Sequence, residues 1–216
     1  PKDGAQFDLP IALAILCLGG ALSQESLKGA IFAGELALDG GIRPIRSAIA
    51  AAEVAKNNNI PTVYVPLANA AQAQLIGGVH VIPVNSLQAL FLHLKDEAKI
   101  EPLAKPKRPV EHSSSEGIAL DDIHGQEQAK RAIAIAVAGR HNLLLSGSPG
   151  SGKTMLAKAL NSLLPPLRDH EIIEVTKLHT LGGEAVDDII TVRPFRSPHH
   201  TASRTSIIGG GTKALP

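Results

Sequence analysis

The feature that most constrains this sequence is a glycine-rich stretch between an apolar segment and an amphipathic one. The stretch consists of Gly147, Ser148, Pro149, Gly150, Ser151, Gly152, Lys153 and Thr154, which fit the pattern G-x-x-x-x-G-K-[ST]. Before it, the apolar run 142–146 predicts a strand. After it, residues 153–164 predict a helix that Pro165 and Pro166 end. A strand, a turn and a helix in this order predict an α/β domain with a P-loop.

Each residue type in this loop suits contact with phosphate. Glycines at 147, 150 and 152 permit backbone angles that let successive N–H groups converge on phosphate oxygens at a helix N-terminus. We expect Lys153 to reach the β- and γ-phosphates and the hydroxyl of Thr154 to bind Mg²⁺. The sequence therefore predicts a purine nucleotide site, with ATP and Mg²⁺ as cofactors. A chance match in a glycine-rich turn is the alternative, and the flanking strand and helix argue against it.

A second segment, residues 121–126, precedes a helix predicted at residues 127–138. An apolar residue followed by glycine suits the border of an adenine ring, so Ile123 and Gly125 are predicted to contact the nucleotide. The alternative is an ordinary helix N-terminus capped by aspartate.

Hydrolysis at such a loop needs an acidic pair at the end of a second apolar strand, to order Mg²⁺ and water. After Thr154 the candidate pair is Asp187-Asp188, which follows only Ala185-Val186 and fits a solvated turn better than a catalytic role. The catalytic residues therefore stay unknown. We expect the acidic pair, the sensor residues and the arginine finger beyond Pro216, and we expect this chain to bind nucleotide with little or no turnover.

The remainder of the chain predicts a separate α/β unit. The predicted helices are 9–22, 47–57, 69–75 and 86–94, and the predicted strands are 31–38, 62–65 and 79–84. Residues 95–117 are rich in Lys, Glu, Pro and Ser, which is typical of a linker. The predicted domains are thus 1–94 and 118–216, joined by the linker 95–117.

Charge and cysteine content limit the classes of partner and compartment. The net charge is +1, which gives no general attraction for nucleic acid, so a polyanion site must be local. Cys17 is the one cysteine, which excludes a disulfide within the chain and favours the cytoplasm. The apolar run 9–22 is shorter than the ~20 residues of a membrane span, so no membrane partner is expected.

The local basic candidate is the segment 193–204, which contains Arg193, Arg196 and Arg204 with His199 and His200 between them. The adjacent histidines fit metal ligation, or a place in the core or in a turn after Pro198. The arginines fit contact with phosphates, either of nucleic acid or of a nucleotide in a neighbouring subunit.

Three motifs together resemble the magnesium-chelatase-like AAA+ ATPases of the ComM (YifB) family. They are His124-Gly125-Gln126, the loop 147–154 and the run 193–201. In addition, Asp3-Gly4, Gly34-Glu35, Pro44-Ile45 and residues 60–66 resemble, in order, the protease domain of Lon. The resemblance implies a partial Lon-protease-like α/β domain followed by a partial AAA+ P-loop NTPase domain.

The resemblance also carries functional expectations. The positions of the Lon Ser–Lys dyad are occupied by Gln6 and Ile49, which implies a pseudo-protease. The family likeness implies a homo-oligomer, a hexamer, whose full-length form moves branched DNA at the expense of ATP. Two alternatives share the nucleotide module: an ATPase subunit of a metal chelatase, and an assembly module without DNA activity. The Lon-like portion favours the ComM type over the chelatase subunit.

Overall fold

A computed structural model describes residues 4–104, 118–184, 188–204, 207 and 209. These residues form two compact units. The first unit contains residues 4–104, 169–184, 188–190, 204, 207 and 209, and the second contains residues 118–168 and 191–203. Most of the linker prediction, residues 105–117, lies outside the described residues, as do Asp3 and Asp187.

The described helices and strands account for the predicted α/β class. The helices are α1 (Asp8–Leu18), α2 (Ala48–Asn57), α3 (Ala70–Gln74), α4 (Leu87–Leu94), α5 (Glu127–Gly139), α6 (Lys153–Ser162) and α7 (Asp169–Gly182). The strands are β1 (Ala30–Phe32), β2 (Glu35–Leu36), β3 (Ile42–Arg43), β4 (Thr62–Pro66) and β5 (His80–Val84). The prediction of a mixed α/β fold is confirmed.

A parallel three-stranded sheet, in the order β1-β4-β5, organises the first unit. Alternate residues of a strand point to opposite faces, and the central strand β4 shows this clearly. Val63 and Val65 join the apolar cluster that contains α2 and α3, whereas Tyr64 joins the cluster that contains α1 and α4. The sheet is therefore covered by helices on both faces, as parallel sheets require.

One predicted strand, residues 31–38, is interrupted, and this prediction was wrong. The chain leaves the parallel sheet after Phe32 and enters a separate antiparallel pair of β2 with β3. Gly34 lies at the break, where a Cβ atom would stand 2.9 Å from Cγ2 of Ile42 and 3.2 Å from Cδ2 of Leu9. A side chain at this position would require Ile42 and Leu9 to shift.

Helix α7, which the sequence analysis did not predict, belongs to the first unit. The side chain of Ile173, in this helix, packs against the apolar cluster of α2 and α3. Thr176 and Thr180 are fully buried or nearly so, and the backbone N–H of Ile190 donates to Oγ1 of Thr176 at 3.1 Å. The domain boundaries drawn from the sequence place residues 169–190 with the nucleotide loop, and those boundaries stay a prediction.

The second unit is built on the packing of α5 against α6. Its buried cluster comprises Ile123, Ile133, Leu156 and Ala159. Leu143 and Leu145 pack partly against this cluster, and Leu144 between them is 91% exposed, which is the alternation of an extended chain. Among the described residues, no strand forms a ladder with residues 142–146, so the strand predicted there is not observed.

Candidate nucleotide site

The glycine-rich loop lies at the N-terminus of α6, as the sequence predicts for its helix. Gly150 and Gly152 have left-handed backbone conformations, with φ of 79° and 83°. Gly152 is the N-cap of α6. A Cβ atom at Gly147 would stand 3.0 Å from Oγ of Ser151, so the loop is tight at its first residue. Gly150 and Gly152 therefore depend on glycine for their conformation, whereas a side chain at Gly147 would require Ser151 to shift.

The backbone amides of the loop are largely available to a ligand. Among the described residues, the one hydrogen bond from a loop amide to the backbone is that from Ser151 N–H to the carbonyl of Ser148, at 3.3 Å. The first N–H groups of a helix have no partner within it, and the helix dipole makes this end positive. A shallow depression of about 260 Å³, lined by residues 150–155, opens at this helix end. Both features favour an anion.

The side chain of Lys153 lies over the same loop. Its Nζ donates to the carbonyl oxygens of Gly147 at 2.9 Å and Ser148 at 2.7 Å, and it lies 3.3 Å from Oγ of Ser151. One cation is thus held within hydrogen-bonding distance of three loop residues. Thr154 follows directly as an exposed residue in the first turn of α6.

A residue outside the loop also contacts it. Gln126, the N-cap of α5, donates from Nε2 to the carbonyl oxygen of Ser151 at 3.0 Å. The sequence analysis did not predict this contact, because the two residues are 25 positions apart and no local pattern joins them. Gly125 is exposed with a φ of 64°, and Ile123 is buried in the cluster of α5 and α6.

The three arginines of the predicted polyanion patch are divided between the two units. Arg193 is tied to the C-terminal end of α6: its Nε donates to the carbonyl of Pro165 at 2.7 Å, and its own carbonyl accepts from Asn161 at 3.0 Å. Arg196 is exposed in the second unit. Arg204 is also exposed and belongs to the first unit.

The adjacent histidines make contacts of a turn. The rings of His199 and His200 lie with centroids 4.2 Å apart, and Thr201 donates its N–H to Nδ1 of His199 at 3.3 Å. No group of three or more His, Cys, Asp or Glu residues within the described ranges is arranged to hold a metal ion. In the same part of the chain, no helix has the length and apolar character needed to cross a bilayer.

Comparison with known proteins identifies the family of this chain. The model of the family described as "Magnesium chelatase, subunit ChlI" matches residues 119–216, and that described as "Subunit ChlI of Mg-chelatase" matches residues 1–69. The chain is also 40% identical over 221 residues to the uncharacterized protein YifB of Escherichia coli, an alignment that covers all of this chain. The chain belongs to the ComM family of magnesium-chelatase-like proteins. The family resemblance inferred from the motifs is thus confirmed.

Two further relatives match this chain over different lengths. The competence protein ComM of Haemophilus influenzae is 39% identical over 220 residues, which cover all of this chain and 43% of ComM. An archaeal Lon protease of Methanothermobacter thermautotrophicus is 54% identical over 46 residues, which are 21% of this chain and 7% of that protease. The alignment with YifB covers 42% of YifB. This chain therefore spans about two fifths of the length of the family members it matches.

Proposed function

We propose that this chain binds ATP with Mg²⁺ in the loop Gly147 to Thr154. The observation that carries the proposal is the juxtaposition of one lysine ammonium with unpaired loop amides at the N-terminus of α6. In this arrangement the amides of Gly150, Gly152 and Lys153 surround the α- and β-phosphates. Lys153 exchanges its loop carbonyls for oxygens of the β- and γ-phosphates, to which it binds more strongly because they are charged.

Thr154 supplies the oxygen that holds the metal. Its hydroxyl is exposed in the first turn of α6, next to the residue that contacts the phosphates. Mg²⁺ held by this hydroxyl would neutralise phosphate charge that the loop alone leaves uncompensated. Ile123 and Gly125 border the adenine in this proposal. Ile123 would do so as a member of the buried cluster of α5 and α6.

Hydrolysis is a property that we assign to the longer protein. A carboxylate pair is required to order Mg²⁺ and the attacking water. Asp188 is described, and its carbonyl accepts from Gln72 in the first unit, whereas Asp187 lies outside the described residues. We propose that this chain by itself binds ATP with little or no turnover.

The full-length protein, in our proposal, is a hexameric cytoplasmic motor that remodels branched DNA. The support is the 39% identity to a protein named for competence, together with the exposed arginine Arg196 as a candidate contact for phosphates. The first unit serves as a pseudo-protease scaffold, since Gln6 and the buried Ile49 offer neither a nucleophile nor a base. A metal-chelatase subunit is the second candidate, which the descriptions of both matching family models favour. The likeness to archaeal Lon argues for the first candidate.

The proposed contact between the Thr154 hydroxyl and Mg²⁺ is tested by a pair of substitutions at Thr154. Valine keeps the shape of threonine and removes the hydroxyl, whereas serine keeps the hydroxyl. We expect Mg²⁺ to tighten ATP binding to the natural chain and to Thr154→Ser, and to have about tenfold less effect on Thr154→Val. Calorimetric titration with ATP in Mg²⁺ and in EDTA measures this. An equal effect of Mg²⁺ on all three proteins would contradict the role of the hydroxyl.

The proposed DNA-remodelling activity is tested on the full-length protein. Labelled branched DNA is titrated at two salt concentrations, with and without ATP, and with Arg196→Gln beside the natural protein. A DNA motor predicts binding that weakens with salt and depends on nucleotide. Binding of ATP without any binding of DNA would favour the chelatase subunit or an assembly module.

A further inference from the structure

The side chain of Gln126 reaches the peptide group between Ser151 and Gly152, just before the first residue of α6. Its Nε2 donates to the carbonyl oxygen of Ser151 at 3.0 Å, and the next residue, Gly152, is the N-cap of α6. The carbonyl of Ser151 and the N–H of Gly152 belong to the same planar peptide, which is trans, so they point in opposite directions. A donor that holds the carbonyl therefore also sets the direction of the Gly152 N–H.

The backbone conformation of Gln126 suits other residue types better, so the contribution of glutamine at this position is its side chain. Gln126 has φ of 61° and ψ of 33°, a left-handed conformation that is costly for residues with a Cβ atom. Its side chain makes no capping bond to α5, although its carbonyl accepts from the N–H of Lys130 at 3.0 Å. Glycine or asparagine adopts this conformation more readily. Glutamine adds a side-chain amide that is long enough to reach Ser151.

We propose that Gln126 is a positioning residue for phosphate binding, which rests on the proposed binding of ATP. It holds the Ser151–Gly152 peptide so that the N–H of Gly152 faces the phosphates. The residue acts through the loop and does not contact the nucleotide. Its contribution therefore belongs to the phosphate part of the ligand and is independent of the adenine.

Two substitutions separate positioning from folding. Gln126→Glu has the same length and removes the donor, so that a carboxylate faces the Ser151 carbonyl. Gln126→Gly removes the side chain and also relieves the left-handed backbone, so its stability should equal or exceed that of the natural chain. Both variants lose the hydrogen bond to Ser151, and they differ in their effect on the fold.

The probe that isolates the phosphate part is inorganic tripolyphosphate, which has no adenine. A fluorescent ADP analogue is bound to the natural chain and displaced by ATP or by tripolyphosphate, and thermal unfolding is recorded for each variant. We expect Gln126→Gly to weaken ATP and tripolyphosphate by the same factor, about fivefold, which is the size of one exposed hydrogen bond. We expect Gln126→Glu to weaken both ligands further, because its carboxylate also repels the phosphates. We expect Gln126→Gly to unfold at or above the temperature of the natural chain.

The possible results distinguish a failure of the proposed ATP binding from a failure of the positioning role of Gln126. If the natural chain binds neither ATP nor the ADP analogue, the proposed function itself fails. If it binds both and Gln126→Gly binds them as tightly as the natural chain does, Gln126 does not position the loop. If ATP weakens while tripolyphosphate is unaffected, Gln126 acts on the adenine side, which also overturns the inference. If Gln126→Glu fails to fold, Gln126→Gly alone decides.

Discussion

The Nζ atom of Lys153 lies 2.7 Å from the carbonyl oxygen of Ser148, within the loop that precedes the lysine's own helix. A lysine side chain loses about 2 kcal/mol of rotamer entropy when it is fixed in one conformation. The loop carbonyls hold the ammonium near the loop amides. In the proposed ATP complex, charged phosphate oxygens would replace these neutral acceptors and bind the ammonium more strongly.

The conformation of Gly152 predicts a cost for any side chain there. Its φ is 83°, and no atom lies within 4 Å of an added Cβ, so Gly152→Ala introduces backbone strain without a clash. We expect the free energy of unfolding to fall by about 1–2 kcal/mol and ATP binding to weaken, because the helix entry must shift. Urea denaturation and ATP titration measure the two effects.

Gly182→Ala is the matched control for this substitution. Gly182 is the last residue of α7, has an ordinary φ and also has open space around its Cβ position. Alanine there should leave stability unchanged or raise it by up to about 1 kcal/mol. Equal unfolding and equal ATP binding of Gly152→Ala and the natural chain would refute the role of the left-handed glycine.

The phenol of Tyr64 predicts a loss of stability at alkaline pH. Burial raises the pKa of Tyr64 above its ordinary value of 10.0, and the negative charge of Asp96 raises it further. The folded state therefore holds the phenolic proton more tightly than the unfolded state does. The resulting stability is fully present below pH 10.0 and is lost as the pH rises through the folded pKa.

Absorbance of tyrosinate measures this pKa directly, because the chain has one tyrosine and no tryptophan. We expect a titration midpoint above 10.0 in the folded chain and near 10.0 in urea. Asp96→Asn, which suits the positive φ of 59° at that residue, should lower the midpoint only in part, since burial is the larger cause. Identical midpoints in the folded and unfolded chain would contradict the burial argument.

A buried amide, Asn69, predicts a large loss of stability when it is removed. Its Oδ1 accepts the backbone N–H of Ile45 at 2.8 Å, and its Nδ2 donates to Oε1 of Gln72 at 3.1 Å. Asn69 is fully buried, so Asn69→Ala leaves the N–H of Ile45 without that acceptor in a place that water does not reach. We expect a loss of about 2–3 kcal/mol in the free energy of unfolding.

The control is the exposed asparagine Asn58, whose Nδ2 donates to the carbonyl of Val54 at 2.8 Å. Water replaces this bond when Asn58→Ala removes it, so we expect a loss below about 1 kcal/mol. Urea denaturation of the two variants compares the same chemical change in two environments. Similar losses would show that burial of Asn69 contributes little.

The parts of the fold that the sequence predicted are those with a local pattern. The loop 147–154 and helix α6 follow from glycine positions and from apolar spacing within a few residues. Helix α7 was missed because its most buried positions are Thr176 and Thr180, which give no apolar periodicity. The missed contacts of the site, above all Gln126 with Ser151, join residues that are distant in sequence and depend on how α5 packs against α6.

The most direct test of the account is calorimetric titration of ATP with Mg²⁺ into the natural chain, Lys153→Ala and Lys158→Ala. Lys158 is an exposed lysine on the same helix, so it matches the charge change without touching the loop. We predict that Lys153→Ala weakens ATP binding by about tenfold or more, since charged hydrogen bonds to phosphate are lost, and that Lys158→Ala has no effect. An unchanged affinity in Lys153→Ala would contradict the assignment of this loop as the nucleotide site.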